Sequence, residues 1–176
     1  MEQVKNPHIV ANYLKRLLRE MKSPLIPFDL YDDFGNLNEK DNDAERFREI
    51  KRLVGLLSEK RKNVLKFLLE FFLEVVSHEN ENKMTTYNIA VTVGPNIFRP
   101  RNNNADDILR VGVYYDTMIR MMEHFADLFD CNNPYDVGNT LKHGAVGAFP
   151  GNLKNILSGV AGGKGGDSDS EDDLTK

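Results

Sequence analysis

"NVLKFLLEFFLEVV", Asn63 to Val76, is the stretch on which the fold turns. Its apolar side chains occupy nearly the whole circumference of a helix, and a helix that is apolar all round belongs inside its protein. The segment is therefore expected to form the buried centre of a helical bundle. The stretch before it, "AERFREIKRLVGLL", repeats at helical spacing in another way. Phe47, Ile50, Leu53, Val54 and Leu57 make one apolar stripe with charges opposite, as in a helix that covers one side of a core.

Toward the N-terminus, Asn6 before Pro7 reads as an N-cap followed by proline at the first helical position. Val10, Leu14, Leu17, Leu18 and Met21 then recur at helical spacing, and the helix is expected to end near Lys22. Pro24 and Pro27 break it, and "PFDLYDDF" can restart as a short helix, because proline is tolerated in a first turn.

Beyond Val76, "NKMTTYNIAVTVGPN" starts a helix at Thr85 or Thr86. Gly94 followed by Pro95 reads as its stop, since glycine adopts the left-handed conformation cheaply and proline cannot continue the ladder. "FRPRNNN" is a polar loop in which Arg99 and Arg101 are expected to be solvated. Helical spacing resumes from Ala105 to Phe129, with Asp106 and Asp107 in the favourable first turn and Gly112 as a point of bending. Met118, Met121 and Met122 follow that spacing as core or helix contacts. There is no convincing strand run and no internal repeat, so the fold class is all-α.

The 176 residues suit one domain with a sizeable core, since a chain of about 150 residues buries about 70% of its unfolded surface. After about Asp130 the composition turns to glycine, small residues and the acidic end "DSDSEDDLTK". Residues 1–130 are thus expected to form the domain and 131–176 a flexible tail. The tail carries six acidic and four basic residues, and the formal charge of the whole chain is -4. No net field favours nucleic acid or an anionic membrane. Cys131 is the sole cysteine, which excludes an internal disulfide and fits a reducing, cytoplasmic setting. No apolar run is long enough for a membrane span, so membrane insertion is not expected.

Catalytic patterns are missing. The four histidines lie far apart, and none has the paired spacing of a zinc protease. "GVAGGKGG" lacks the Ser or Thr that must follow the lysine of a phosphate-binding loop. Glu20, Asp32 and Asp33 are read as solvated carboxylates, with nothing to push their acidities apart. Ser168 and Ser170 lie among acids and could accept phosphate, although a solvated tail is the ordinary reading.

One pattern remains. "YLKRLLREMKSPLIP", Tyr13 to Pro27, sets Lys15 and Arg19 one turn apart on one helix face, with Leu14, Leu17 and Leu18 available to fix that face against the core. Alone, such a pair reads as an ordinary solvated face. Taken with "NVLKFLLEFFLEVVSHENENKMTTYNIAVTVGPNIF", the block "HIVANYLKRLLREMKSPLI" closely resembles the GTPase-activating domain of Rho-family regulators, the RhoGAP family. The likeness runs from about His8 to about Phe129 and consists of separated blocks in the family's order.

The resemblance implies a RhoGAP-type helical bundle and a regulator that is not itself an enzyme. Such a regulator binds the GTP-bound state of a Rho-family small GTPase and promotes GTP hydrolysis. It implies GTPase-facing roles for Lys15, Arg19 and Asn88, while Asn96 and Pro95 are assigned to structure. No cofactor is implied, since GTP and magnesium would belong to the partner. The family's arginine finger lies in a Gly-x-x-Arg-x-Ser-Gly segment before the Lys15 helix, and these 176 residues contain no such segment. The resemblance thus covers the C-terminal two-thirds of such a domain. It leaves a non-catalytic GTPase-binding or scaffolding module as the alternative, with apolar faces expected to lie uncovered. Local departures from the family pattern are Lys22 and Ser23 for a usual Pro-Glu, Ser58 for a proline, and Arg61 for a frequent asparagine.

Overall fold

The structure, a computed structural model, describes residues 6–40, 42–102, 105–132 and 135, with only the backbone of residues 105 and 106. The helices are α1 (Pro7–Glu20), α2 (Phe28–Gly35), α3 (Asp43–Gly55), α4 (Glu59–Ser77), α5 (Glu79–Asn82), α6 (Thr86–Ile97), α7 (Ala105–Glu123) and α8 (Phe125–Phe129). A 3-10 turn at Leu37–Glu39 follows α2. Among the described residues there is no strand, and no helix is long and apolar enough to cross a membrane. Apart from Cys131, Asn132 and Tyr135, the tail expected over 131–176 lies outside the described residues.

Local chemistry explains most helix starts. The Asn6 side chain accepts from the backbone N–H of His8, with Pro7 at the first helical position. Asn42 caps α3 by accepting from Glu45 N–H, and Thr85 caps α6 by accepting from Asn88 N–H. Each cap satisfies a donor that the first helical turn leaves open, a contribution of about 1 kcal/mol. Pro27 stands at the N-cap of α2, one residue before the helix it was expected to open from within.

The central layer is the pair α6 and α7. α6 packs against α1, α4 and α7, while α7 also meets α2, α3, α4 and α8. Leu25 and Ile26, in the turn between the two prolines, are fully buried and anchor the α1–α2 corner. Burying side chains of this size contributes about 1.5–3 kcal/mol each. Met118, Met121 and Met122 are all fully buried, as their spacing predicts.

Four expectations need correction. α4 is not the buried centre: Leu65, Leu68, Leu69, Phe72, Leu73 and Val76 are buried, but Val64, Phe67 and Phe71 are 46%, 70% and 43% exposed. Its partners α5, α6, α7 and α8 cover one side only. α6 runs through Gly94 and Pro95 to Ile97, and no glycine among the described residues has positive φ. Gly94 is instead packed under α7, where an added Cβ would meet the Tyr115 ring at 3.4 Å. Proline so near the helix end removes a single ladder bond. Beside it, the buried Asn96 donates to the carbonyls of Thr92 and Val93 at 3.2 and 3.4 Å, in keeping with its structural assignment.

The third correction is that the 105–129 helix breaks at His124, whose backbone leaves the helical region at φ −108°, ψ 29°, and not at Gly112. The fourth concerns α1. Only Leu18 is buried, Leu14 and Met21 are half-buried, and Leu17 is 51% exposed, so Leu17 does not fix the helix to the core.

Two long-range ties close the bundle. Arg120, buried in α7, binds Asp116 at 2.7 Å and Asp43 at the start of α3 at 3.0 Å. Lys51 of α3 donates to the Asp127 carbonyl at 2.6 Å and to Asp130 at 2.8 Å, which fixes the end of α8.

Candidate functional site

Lys15 is half-buried on α1, and Arg19 is exposed in the last turn of the same helix. One turn of separation sets both on one flank. Among the described residues neither is held in an ion pair. The exposed Ile9, Val10, Tyr13 and Leu17 follow a different line along α1, centred about half a turn from the cations at 100° per residue. Asn88 is exposed in the first turn of α6, and α6 packs directly on α1. The helices that carry the three residues are thus neighbours.

Asn88 is also held from behind. Its Nδ2 donates to the Lys83 carbonyl at 2.8 Å, at the point where Lys83 takes a left-handed conformation, φ 61°, to end α5. The carboxamide oxygen stays available as an acceptor. This tie was not legible in the sequence, because it depends on a non-glycine residue at positive φ.

Arg99 is the residue that sequence reasoning placed wrongly. It is half-buried, and its guanidinium donates to the carbonyls of Arg19 and of Met21, the latter at 2.6 Å. Those carbonyls are left open by the end of α1, and a cation there also complements the helix dipole. Arg101 pairs with Asp29 at 3.4 Å and lies 5.3 Å from the Phe28 ring centroid. Neither arginine is merely solvated.

Beside this corner lies a cleft of about 680 Å³, lined among others by Arg19, Arg99, Tyr31, Phe98, Tyr114 and Tyr115. The Tyr31 and Tyr114 rings pack tilted at 34° with centroids 4.8 Å apart, and the Tyr114 hydroxyl donates to the Tyr31 carbonyl at 3.3 Å. Burial raises the pKa of both phenols above the usual tyrosine value, so both stay neutral. The carboxylates weighed in the sequence are exposed: Glu20 pairs with Arg16 at 2.8 Å and Asp32 with Arg110 at 2.6 Å. Of the three candidate contacts, Arg19 lines this cleft, while Lys15 and Asn88 are not among its lining residues.

Ser23 and Arg61, 38 residues apart in sequence, meet in space. Arg61, at the start of α4, donates to the Ser23 hydroxyl at 2.7 Å, joining α4 to the α1–α2 corner.

Comparison with known proteins agrees with this architecture. The model of the RhoGAP domain family matches residues 1–102. The chain is 34% identical over 132 residues to human Rho GTPase-activating protein 24, covering 73% of this chain and 17% of that protein. It is 29% identical over 123 residues to Rho GTPase-activating protein gacY of Dictyostelium discoideum, covering 69% and 17%. The chain thus spans less than a quarter of the length of these relatives. Among solved structures, human Rho GTPase activating protein 15 superposes with a TM-score of 0.67 at 22% identity, over 73% of this chain and 61% of that one. The BH domain from Graf, the GTPase regulator associated with focal adhesion kinase, gives 0.61 at 26% identity, over 66% and 63%. The chain is a member of the RhoGAP domain family.

Proposed function

We propose that this chain binds the GTP-bound state of a Rho-family small GTPase, in the cytoplasm, and promotes GTP hydrolysis as a regulator in signal transduction. Residues 1–130 are its GTPase-facing domain, and Lys15, Arg19 and Asn88 are the contacts. The observation that carries the reading is membership of the RhoGAP family together with direct packing of α1 on α6, the two helices that bear these residues.

Each contact has a physical role in this reading. Lys15 approaches the switch region of the GTPase as a point charge. Arg19 presents a planar fork suited to several backbone carbonyls at once, which steadies the catalytic loop. Asn88, fixed through its amide nitrogen to Lys83, turns its oxygen to a donor on the partner. The end of α1 is clamped by Arg99, so Arg19 meets the GTPase from a pre-set backbone.

A second reading rests on one observation. An arginine finger supplies about a thousand- to a hundred-thousand-fold of GTPase stimulation, and these 176 residues hold no Gly-x-x-Arg-x-Ser-Gly segment. By that argument the chain on its own binds without stimulating. Single-turnover GTP hydrolysis with a panel of Rho-type GTPases, run beside a binding assay with a GTP analogue, separates the two. Binding with acceleration supports the first reading, and binding without acceleration supports the second. No binding to any GTP-like state overturns both.

A further inference from the structure

Of the residues that precede the seven prolines of the chain, Ser23, before Pro24, is the one that carries a hydroxyl. It is exposed in the corner between α1 and α2, and its hydroxyl accepts from Arg61 Nη2 of α4 at 2.7 Å. Arg61 is poorly supplied for a cation drawn out of water. It is half-buried, its Nε is buried without a hydrogen-bond partner, and among the described residues no carboxylate pairs with it. A guanidinium has five donors in a rigid fork that suits a carboxylate or a phosphate, whereas here its acceptor is one neutral hydroxyl.

We propose that Ser23 is a phosphorylation site for a proline-directed serine/threonine kinase, and that Arg61 holds the phosphate. A serine before proline is kept in extended backbone, the form in which a kinase that requires proline at the next position reads its substrate. In the transfer the Ser23 oxygen attacks the γ-phosphorus of ATP, the bond to ADP breaks, and the hydroxyl proton passes to the catalytic base of the kinase. Pro24 is buried, so the transfer takes place when the corner opens. On closing, a phosphate with up to two negative charges and three acceptor oxygens stands where a hydroxyl stood. Nε and Nη2 form one edge of the planar guanidinium, the edge that takes two anion oxygens side by side. The exposed Lys22 and Lys60 adjoin Ser23 and Arg61 in sequence and add positive charge. The nearest acids in sequence, Glu20 and Glu59, are each paired within their own helix, with Arg16 and Lys62. The dipole of α1 opposes an anion beyond its C-terminal end, and the Arg61 pair must outweigh it. The tie uses none of Lys15, Arg19 and Asn88, so it does not depend on the GTPase assignment.

Mass spectrometry of the full chain after incubation with ATP, magnesium and a panel of purified proline-directed kinases tests the acceptor. The expected result is a phosphate at Ser23 that Ser23→Ala removes. Phosphorus NMR over a pH series tests the holder. A free phosphoserine takes up its second proton with a pKa of about 6, and the Arg61 guanidinium should lower that value, with Arg61→Ala returning it. Hydrogen exchange at Leu25 and Ile26 should slow about tenfold on phosphorylation, and should not slow in Arg61→Ala. If Arg61→Ala fails to fold, Arg61→Lys keeps the charge without the fork and should lose part of both effects. A folded chain whose Ser23 is left unmodified by every kinase of the panel would overturn the proposal. So would a phosphate that titrates alike with and without the Arg61 guanidinium.

Discussion

The guanidinium of Arg99 closes the open end of α1 by donating to the backbone carbonyl of Arg19. A second bond, at 2.6 Å, reaches Met21, so one side chain from the loop after α6 holds the last turn of a helix some eighty residues earlier. The residue proposed to meet a partner is thus positioned by one that is not.

Arg99→Ala should therefore destabilise the chain by about 1.5–3 kcal/mol, the usual worth of hydrogen bonds to a charged group. Hydrogen exchange should rise in the last turn of α1 before the rest of the bundle responds. Arg99→Lys should recover only part of the loss, since a point charge cannot span two carbonyls as a planar fork does. Chemical denaturation of the three chains checks the order.

Lys15→Ala should weaken binding to a Rho-type GTPase loaded with a GTP analogue by about 1–2 kcal/mol, or five- to thirtyfold, without loss of helical signal. Asn88→Ala should weaken it too, but with an added stability cost of about 0.5–1.5 kcal/mol from the lost bond to the Lys83 carbonyl. Titration calorimetry and thermal melts on each variant separate the two effects. Equal loss of fold in both would show that the side chains are structural.

Two glycines should respond with opposite sign. A Cβ on Gly35 would lie 2.7 Å from the Tyr114 hydroxyl and 3.1 Å from Arg110 Cδ, so Gly35→Ala should cost about 1–3 kcal/mol. A Cβ on Gly55, at the exposed end of α3, meets nothing within 4 Å. Gly55→Ala should stabilise by about 0.5–1 kcal/mol through helix propensity. Urea midpoints measure both.

Glu123 gives the fold a pH dependence. Burial raises its pKa, an effect opposed by His124 and Arg120 and reinforced by Asp116 and Asp43. A raised folded value means that the stabilisation is full below the unfolded carboxylate value and is lost as pH rises through the folded one. Glu123→Gln should therefore raise the melting temperature at neutral pH and flatten its decline above pH 4–5. Melting curves from pH 4 to 8 test this, and an unchanged slope would exclude Glu123 as the source.

Much of the chain was legible because helix starts are settled by neighbours. The caps at Asn6 and Thr85 and the proline breaks after Met21 act on donors a few residues away. A sequence pattern can state such effects in full. The proposed contacts Lys15, Arg19 and Asn88 came from the resemblance of whole blocks to a family, not from local pattern. The reason they occupy neighbouring helices was not legible, since it lies in the burial of α6 between α1 and α7.

The sequence by itself determined that this protein is all-α, where most of its helices begin, and to which family its blocks belong. Only the tertiary structure decided which faces are covered. α4 is apolar all round, yet one side finds partners and the other leaves Phe67 and Phe71 in solvent. Gly94–Pro95 carries a local stop signal, yet α6 continues past it, with Gly94 packed against Tyr115 and Asn96 bound to the carbonyls of Thr92 and Val93. Arg99 sits in a polar loop, yet it spends its charge on α1. The physical reason is the same in each case: capping and propensity act within a turn or two of the chain, whereas burial and long-range hydrogen bonds depend on what distant segments bring into contact.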